Sequence, residues 1–170
     1  MICLVGFMGS GKSSVGRELA RKLGLKFVDL DAVIAEDAGV TIPEIFARDG
    51  ETVFRLAERE ALRWTAGLGP TVVATGGGAF CSSDNRQLIH DAGAVSVFLD
   101  PPWEVILRRL PGANDDRPLF ESPDSARRLF EERVSDYRQA SLTLSLSGDE
   151  SPSAVATLIC EALSEVACAT

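Results

Sequence analysis

The sequence has few of the residues from which metal centres are built. It contains a single histidine, His90, and none of its four cysteines is spaced as Cys-x-x-Cys. A structural zinc site needs four cysteine or histidine ligands, usually in closely spaced pairs, so this pattern speaks against one. Isolated cysteines such as Cys3, which lies in an apolar run, often behave as small buried hydrophobic residues. We therefore expect the protein to work in the reducing cytosol.

Long apolar runs and an excess of positive charge are also missing. No stretch reaches the roughly 20 apolar residues of a membrane-spanning helix, and no basic region precedes the first apolar residues, as it does in a secretory signal. The formal net charge of −8 argues against non-specific nucleic-acid binding, which relies on a basic surface. These absences predict a cytoplasmic protein whose partners are neither membranes nor nucleic acids.

The residues that are present fit one globular domain. The 170 residues are 45% hydrophobic and 25% charged, and they show no repeat, low-complexity tract or evident linker. A chain of this length can bury a substantial core as one unit. We expect residues 1–170 to form a single domain and the protein to be a monomer.

The amino-terminal segment carries a phosphate-binding pattern. The apolar residues 2–5 lead into Gly-x-x-x-x-Gly-Lys-Ser at residues 6–13, and a helical pattern follows. In a P-loop, backbone N–H groups and the helix N-terminus surround phosphate oxygens, while the lysine and serine serve the phosphates and Mg²⁺. A glycine turn without a ligand is the alternative. The pattern predicts a nucleoside triphosphate site formed by Gly9, Ser10, Gly11, Lys12, Ser13 and Ser14.

Strand-like and helical segments alternate along the rest of the chain. Apolar runs predict five strands, at residues 2–5, 26–30, 71–75, 94–99 and 142–146. Helical spacing predicts helices at residues 12–23, 32–38, 41–50, 51–65, 83–92, 125–139 and 153–167, with another after Pro101-Pro102. This alternation predicts a parallel sheet with helices on both faces, and ligands at the carboxyl ends of its strands. A polar loop at about residues 111–123 has the length of a functional loop.

Two carboxylates, Asp29 and Asp31, follow the second predicted strand. Side chains alternate along an extended segment, so both would face the phosphate site. One could hold Mg²⁺, usually through water, while the other accepts a proton from an attacking hydroxyl. The alternatives are a solvated turn and an N-cap for the helix predicted from Ala32.

Arginines and glycines later in the chain could bind an anionic substrate. Arg55 can pair with Glu58 one helical turn away, either as an exposed ion pair or as part of a carboxylate receptor. The glycines at residues 76–78 leave backbone N–H groups open for an anion. Arg117, in the polar loop, could close over a transferred phosphate. For Arg133 the position alone does not separate a binding role from solvation.

Taken in order, these segments resemble the shikimate kinases. The likeness spans nearly the whole chain, and the combination is more specific than any single motif. It implies a three-layer α/β P-loop NTPase fold of the nucleoside monophosphate kinase type, with a five-stranded parallel sheet. It also implies ATP-dependent phosphorylation of the 3-hydroxyl of shikimate, in the pathway to chorismate and the aromatic amino acids. The matching residues are Gly6 to Ser13, Phe27 to Asp31, Ile45-Phe46, Gly50-Glu51, Phe54-Arg55, Ala74 to Gly78, Arg117-Pro118-Leu119, Arg133 and Tyr137.

The resemblance implies an acceptor site within helices at about residues 32–64 and a lid loop at about 111–123. Asp31 would contact the reacting hydroxyl as the base, and Arg55 and Arg133 would bind the shikimate carboxylate. The rest of the acceptor site would be formed by Glu58, which orients Arg55, by the backbone of Gly76, Gly77 and Gly78, and by the rings of Phe46 and Phe54.

On the donor side the resemblance implies ATP and Mg²⁺ as cofactors. Asp29 would hold Mg²⁺ through water beside Ser13. Lys12 and Arg117 would act on the phosphates, and the adenine would meet an arginine, either Arg108 or Arg109.

Among several departures from the family pattern, one lies beside a predicted binding residue. Asp136 lies between Arg133 and Tyr137, where a proline–leucine pair is common, and its carboxylate can pair with Arg133.

Two other functions stay open. A related small-molecule kinase, such as a gluconate kinase, would share the loop and fold. A non-catalytic nucleotide-binding homologue would be expected to lack a catalytic position.

Overall fold

The computed structural model describes residues 1–110 and 122–168. Within these residues, five strands alternate with helices along the chain. The strands β1 to β5 are Ile2–Val5, Lys26–Asp29, Thr71–Ala74, Val95–Asp100 and Leu142–Ser145. The helices α1 to α7 are Lys12–Leu23, Leu30–Ala38, Ile42–Ala66, Ser83–Asp91, Trp103–Arg109, Pro123–Tyr137 and Pro152–Cys168, and a short 3₁₀ helix spans Ala79–Cys81.

The strands form one parallel sheet, as the alternating pattern predicts. Their order is β2-β3-β1-β4-β5, and every neighbouring pair runs parallel. The chain enters the middle of the sheet at β1, which pairs with both β3 and β4. The segments that follow β1, β2 and β3 therefore leave the sheet side by side at its carboxyl edge. The predicted fold class is confirmed.

Hydrophobic cores lie on both faces of the sheet because side chains alternate along each strand. Leu4 belongs to the core that is shared with α1 and α7. Its neighbours Cys3 and Val5 belong to the opposite core, which includes Leu62 of α3 and Tyr137 of α6. Burial raises the pKa of the Cys3 thiol to about 12, so this cysteine is a hydrophobic core residue, as predicted.

Several element boundaries differ from the sequence prediction by one or two residues, and three differences in the helices have a local cause or marker. The helix α2 begins at Leu30 rather than Ala32, since the Asp29 side chain accepts a hydrogen bond from the Asp31 N–H. The N-cap of α4 is Ser82 rather than Ser83 or Asp84. The two helices predicted on either side of Gly50 follow one another directly, with a kink where Gly50 has φ of 82°.

Within the described residues, no helix has both the length and the apolar character to cross a membrane. The predicted lid loop at about residues 111–123 falls almost entirely outside these residues. Arg117 falls outside them as well.

Candidate active site

A cleft of about 470 Å³ opens at the carboxyl edge of the sheet. It is bounded by the glycine loop before α1, the start of α2, the helix α3, the turn after β3 and one side chain of α6. Its lining residues are Met8, Gly9, Gly11, Lys12, Ser13, Ser14, Asp29, Asp31, Ile42, Phe46, Phe54, Arg55, Glu58, Thr75, Gly76, Gly77, Gly78, Arg109 and Arg133. The structure thus brings together most of the predicted site residues from segments that are distant in sequence.

The glycine loop has the conformation that a phosphate cradle requires. Gly11 caps α1 with φ of 99°, a left-handed conformation that residues with a Cβ rarely adopt. The Lys12 ammonium donates to the Gly6 and Phe7 carbonyls, each at 2.8 Å, which places its charge inside the loop. The first turn of α1 contains no acidic residue, so its N–H groups and the helix dipole favour an anion here.

Ser13 and Asp29 place a hydroxyl and a carboxylate next to the loop. The Ser13 hydroxyl donates to Oδ2 of Asp29 at 2.6 Å, while Oδ1 of the same carboxylate accepts from the Asp31 N–H at 3.2 Å. Both sequence interpretations of Asp29, a cap and a metal-site carboxylate, are therefore compatible. Hard oxygen donors beside a phosphate cradle suit Mg²⁺, which keeps several waters. Among the described residues no cluster of three or more acidic, histidine or cysteine side chains could hold a metal.

Asp31 reaches the cleft for a different reason than the sequence indicated. It lies in the first turn of α2, not in an extended segment, so the strand-alternation argument for it is wrong. Its carboxylate and that of Glu58 flank Gly76. A Cβ at Gly76 would lie 2.9 Å from Oδ1 of Asp31 and 2.5 Å from Oε1 of Glu58. Glycine at this position therefore provides the space for two carboxylates.

Glu58 is fully buried beneath the cleft. Its Oε2 accepts from Nη1 of Arg55 at 2.9 Å, while Oε1 has no hydrogen-bond partner among the described residues. Burial raises the pKa of Glu58, and the nearby Asp31 charge acts in the same direction, whereas Arg55 and Arg133 oppose the rise. The structure confirms that Arg55 and Glu58 pair, and it excludes an exposed surface pair.

Arg55 is held by carboxylates on two sides and by a ring beneath it. Besides its bond to Glu58, its Nε and Nη2 donate to Oε1 of Glu51 at 3.1 and 2.9 Å. Burial acts to lower the pKa of Arg55, but Glu58 and Glu51 together outweigh it and raise the pKa above its ordinary value. The guanidinium lies 5.1 Å from the centroid of Phe54, whose ring is 4.6 Å from that of Phe46. The result is a fixed cation beside an aromatic wall.

Arg133 enters the cleft from α6. A Cβ at Gly77 would lie 4.0 Å from its Nη1, so the guanidinium borders the glycine turn. One turn later on the same helix, the Tyr137 hydroxyl donates to the Gly77 carbonyl. Asp136 bonds to Arg86 and Gln139 through its Oδ1. The pairing of Asp136 with Arg133, which the sequence left open, is therefore not the one found among the described residues.

On the nucleotide side the structure separates the two arginine candidates. Arg109 lines the cleft, and its Nη2 donates to the Gly148 carbonyl at 3.0 Å, which links α5 to the loop before α7. Arg108 is exposed and does not line the cleft. Ser10 belongs to the glycine loop, but its side chain is buried and does not line the cleft.

Several residues of the site were missed at the sequence level. Met8, Ile42 and Thr75 line the cleft although their side chains carry no diagnostic chemistry. Thr75 could have been predicted from its position directly after β3, where ligands of parallel sheets bind. In the structure its hydroxyl donates to the Leu4 carbonyl at 3.0 Å. The pairing of Glu51 with Arg55 could have been predicted from spacing, since Glu51 lies four residues before Arg55 on a predicted helix.

The sheet order, the glycine loop and the cleft beside it define the class as a P-loop kinase. The description of the matching family model is shikimate kinase, and the match covers residues 8–164. A shikimate kinase from Geobacter sulfurreducens is 48% identical over 86% of this chain and 82% of that protein. The chain belongs to the shikimate kinase family.

Solved structures agree with this assignment. The shikimate kinase from Acinetobacter baumannii, solved in complex with shikimate, has a TM-score of 0.90 and 34% identity, covering 96% of this chain and 92% of that one. The shikimate kinase from Aquifex aeolicus has a TM-score of 0.85 and 35% identity, covering 99% of both chains.

Proposed function

We propose that the protein transfers the γ-phosphoryl group of ATP to the 3-hydroxyl of shikimate, which gives shikimate 3-phosphate and ADP. The observation that carries this proposal is the composition of one cleft. A phosphate cradle with Lys12, a carboxylate at Asp31 and two guanidinium groups, Arg55 and Arg133, all line it. Donor and acceptor can therefore be held side by side, which is the main contribution of a protein to phosphoryl transfer.

On the acceptor side, Arg55 and Arg133 bind the shikimate carboxylate. Arg55 is suited to this because Glu58 and Phe54 fix its plane, and a preorganised planar fork matches a carboxylate. The backbone of Gly76, Gly77 and Gly78 and the rings of Phe46 and Phe54 form the walls around the substrate ring. Asp31 accepts the proton of the attacking hydroxyl or orients that hydroxyl.

On the donor side, the N–H groups of Gly9, Ser10, Gly11 and Ser14 hold the phosphates, and Arg109 contacts the nucleotide base. Lys12 balances the charge that develops as the phosphoryl group moves. Ser13 and Asp29, the latter through water, would hold Mg²⁺, and the ion would neutralise phosphate charge. Arg117, which lies outside the described residues, is proposed to act on the same phosphates from the lid loop.

We further propose a monomeric, cytoplasmic enzyme that works in the pathway to chorismate and the aromatic amino acids. The pathway follows from the proposed substrate. The cytoplasm is supported by the cysteines of the described residues, which are free.

The decisive experiment replaces Asp31 by Asn and measures shikimate-dependent ADP release in a coupled assay. Asn keeps the size and loses the negative charge, so we expect kcat to fall by about a hundredfold or more, in the range of general-base catalysis. Asp37→Asn, on the exposed side of the same helix, is the matched control and should retain wild-type turnover. If Asp31→Asn turns over shikimate at the wild-type rate, the role of Asp31 is wrong.

The same assay separates the two other functions. A gluconate kinase would release ADP with gluconate and not with shikimate. A non-catalytic homologue would bind ATP without turnover of either alcohol. The family assignment supports shikimate as the acceptor, and the pair of guanidinium groups beside an aromatic wall supports a cyclic carboxylate.

A further inference from the structure

The charge next to Arg133 is the least expected feature of this site. Asp136 follows Arg133 by three residues on α6, a spacing at which side chains of a helix can pair. Such a pair would place a carboxylate on the guanidinium that the proposed function assigns to the substrate. An acceptor with a carboxylate would then compete with a residue of the protein itself for the same cation.

In the structure Asp136 pairs with Arg86. Nη1 of Arg86, on α4, lies 3.2 Å from Oδ1 of Asp136. The two side chains are 20% and 30% exposed, so water screens this pair less than a surface pair. The ion pair crosses from α4 to α6, and it turns Asp136 toward Arg86.

Arg86 itself is fixed by the segment after the glycine turn. The same Nη1 donates to the Phe80 carbonyl at 2.8 Å and to the Cys81 carbonyl at 3.0 Å. The guanidinium carbon lies 6.0 Å from the centroid of the Phe80 ring. These two carbonyls belong to the 3₁₀ helix, so they hold Arg86 in place independently of Asp136.

We propose that Arg86 is a positioning residue that keeps Asp136 away from Arg133, so that the Arg133 guanidinium stays available for the carboxylate of the substrate. This inference rests on the proposed function, because it takes Arg133 as part of the carboxylate site. Arg86 acts through Asp136 and does not itself touch the substrate. We expect the effect in the Michaelis constant for shikimate, since the proposed function places the Arg133 guanidinium on the carboxylate of that substrate.

The test compares Arg86→Gln, Asp136→Asn and the double variant, with Michaelis constants for shikimate and ATP. Arg86→Gln keeps an amide donor for the two carbonyls but releases Asp136, so the shikimate KM should rise about fivefold, which is the upper range for one partly exposed ion pair. The ATP KM should stay within about twofold. Asp136→Asn should leave both constants near wild type, and the double variant should return the shikimate KM to the wild-type value.

Arg127→Gln is the matched control, since Arg127 is on the same helix and pairs with Glu131 on the exposed side. It should change neither constant. Melting temperatures of all variants report whether a change in KM accompanies loss of structure. If Arg86→Gln does not fold, the double variant decides: a wild-type shikimate KM supports the proposal, and a raised one overturns it.

Each other pattern contradicts the proposal. An unchanged shikimate KM in Arg86→Gln would mean that Asp136 does not reach Arg133. A rise that persists in the double variant would assign the effect to the Phe80 and Cys81 carbonyls. An equal rise in Asp136→Asn would mean that the pair anchors α6. Failure of the proposed function is a separate result, because the wild-type protein would then not turn over shikimate at all.

Discussion

The guanidinium of Arg55 lies directly against the backbone of Gly78. A Cβ at Gly78 would lie 2.6 Å from Nη2 and 2.7 Å from Nη1, closer than real Cβ atoms approach other atoms. Gly78 has φ of −104°, so its backbone would accept any residue. Glycine is therefore needed at this position because the Arg55 guanidinium occupies the space that a Cβ would fill.

This relationship predicts the effect of Gly78→Ala. The added methyl group pushes Arg55 away from the position in which Glu58 holds it, so the shikimate KM should rise about tenfold, the equivalent of one weakened charge-assisted hydrogen bond. The ATP KM should stay within about twofold, since the phosphate cradle is untouched. Gly67→Ala is the control, because Gly67 has φ of −83° and its Cβ would meet only the Trp64 carbonyl oxygen, at 3.4 Å. Equal changes in both Michaelis constants would disprove the specific link to Arg55.

The buried carboxyl of Glu58 predicts a pH dependence of stability. Its pKa in the folded protein is raised above the unfolded value of 4.5, so the folded state binds the proton more tightly. The contribution of Glu58 to stability is then complete below pH 4.5 and is lost as the pH rises through the folded pKa. The difference in unfolding free energy between wild type and Glu58→Gln should therefore decrease as the pH rises from 4.5 toward 7. Urea unfolding at several pH values measures it, and a constant or increasing difference would contradict the prediction.

The capping role of Asp29 and its proposed role in binding Mg²⁺ can be separated with two substitutions. Asparagine caps a helix about as well as aspartate but binds Mg²⁺ less well, whereas alanine does neither. Asp29→Asn should raise the Mg²⁺ concentration for half-maximal activity about tenfold and leave the melting temperature unchanged. Asp29→Ala should in addition lower the unfolding free energy by about 1 kcal/mol. Asp37→Asn serves as the control. An unchanged Mg²⁺ dependence of activity in Asp29→Asn would show that Asp29 does not contribute to Mg²⁺ binding.

Tyr137→Phe removes the hydroxyl that donates to the Gly77 carbonyl and keeps the ring in the core, where its centroid is 5.2 Å from that of Phe98. The carbonyl loses a partner in a part-buried site, so the unfolding free energy should fall by about 1 kcal/mol. The shikimate KM should rise, because Gly77 borders Arg133. Thermal unfolding and kinetics together check this, and wild-type values in both would show that the hydrogen bond contributes nothing to the turn.

Much of the fold could be predicted from local patterns. Apolar β-branched runs and helical spacing indicated the five strands and their alternation with helices, because burial on both faces of a parallel sheet leaves that pattern in the sequence. The boundary at Asp31 failed for a local reason. Asp29 caps a helix whose first residue, Leu30, is fully buried, and this outweighs continuation of the strand.

The sequence alone determined the phosphate cradle at residues 6–13, because its parts are contiguous and their geometry follows from glycine torsions and a helix N-terminus. It also indicated the Arg55–Glu58 pair, which one helical turn brings together. Only the tertiary structure decided that Asp136 pairs with Arg86, 50 residues away, and that Arg109 rather than Arg108 faces the cleft. Helix periodicity limits which side chains can meet, but the partners are selected by the packing of α4 and α6 against the 3₁₀ helix and by the approach of α5 to the loop before α7. That selection arises only when the elements are assembled around the sheet.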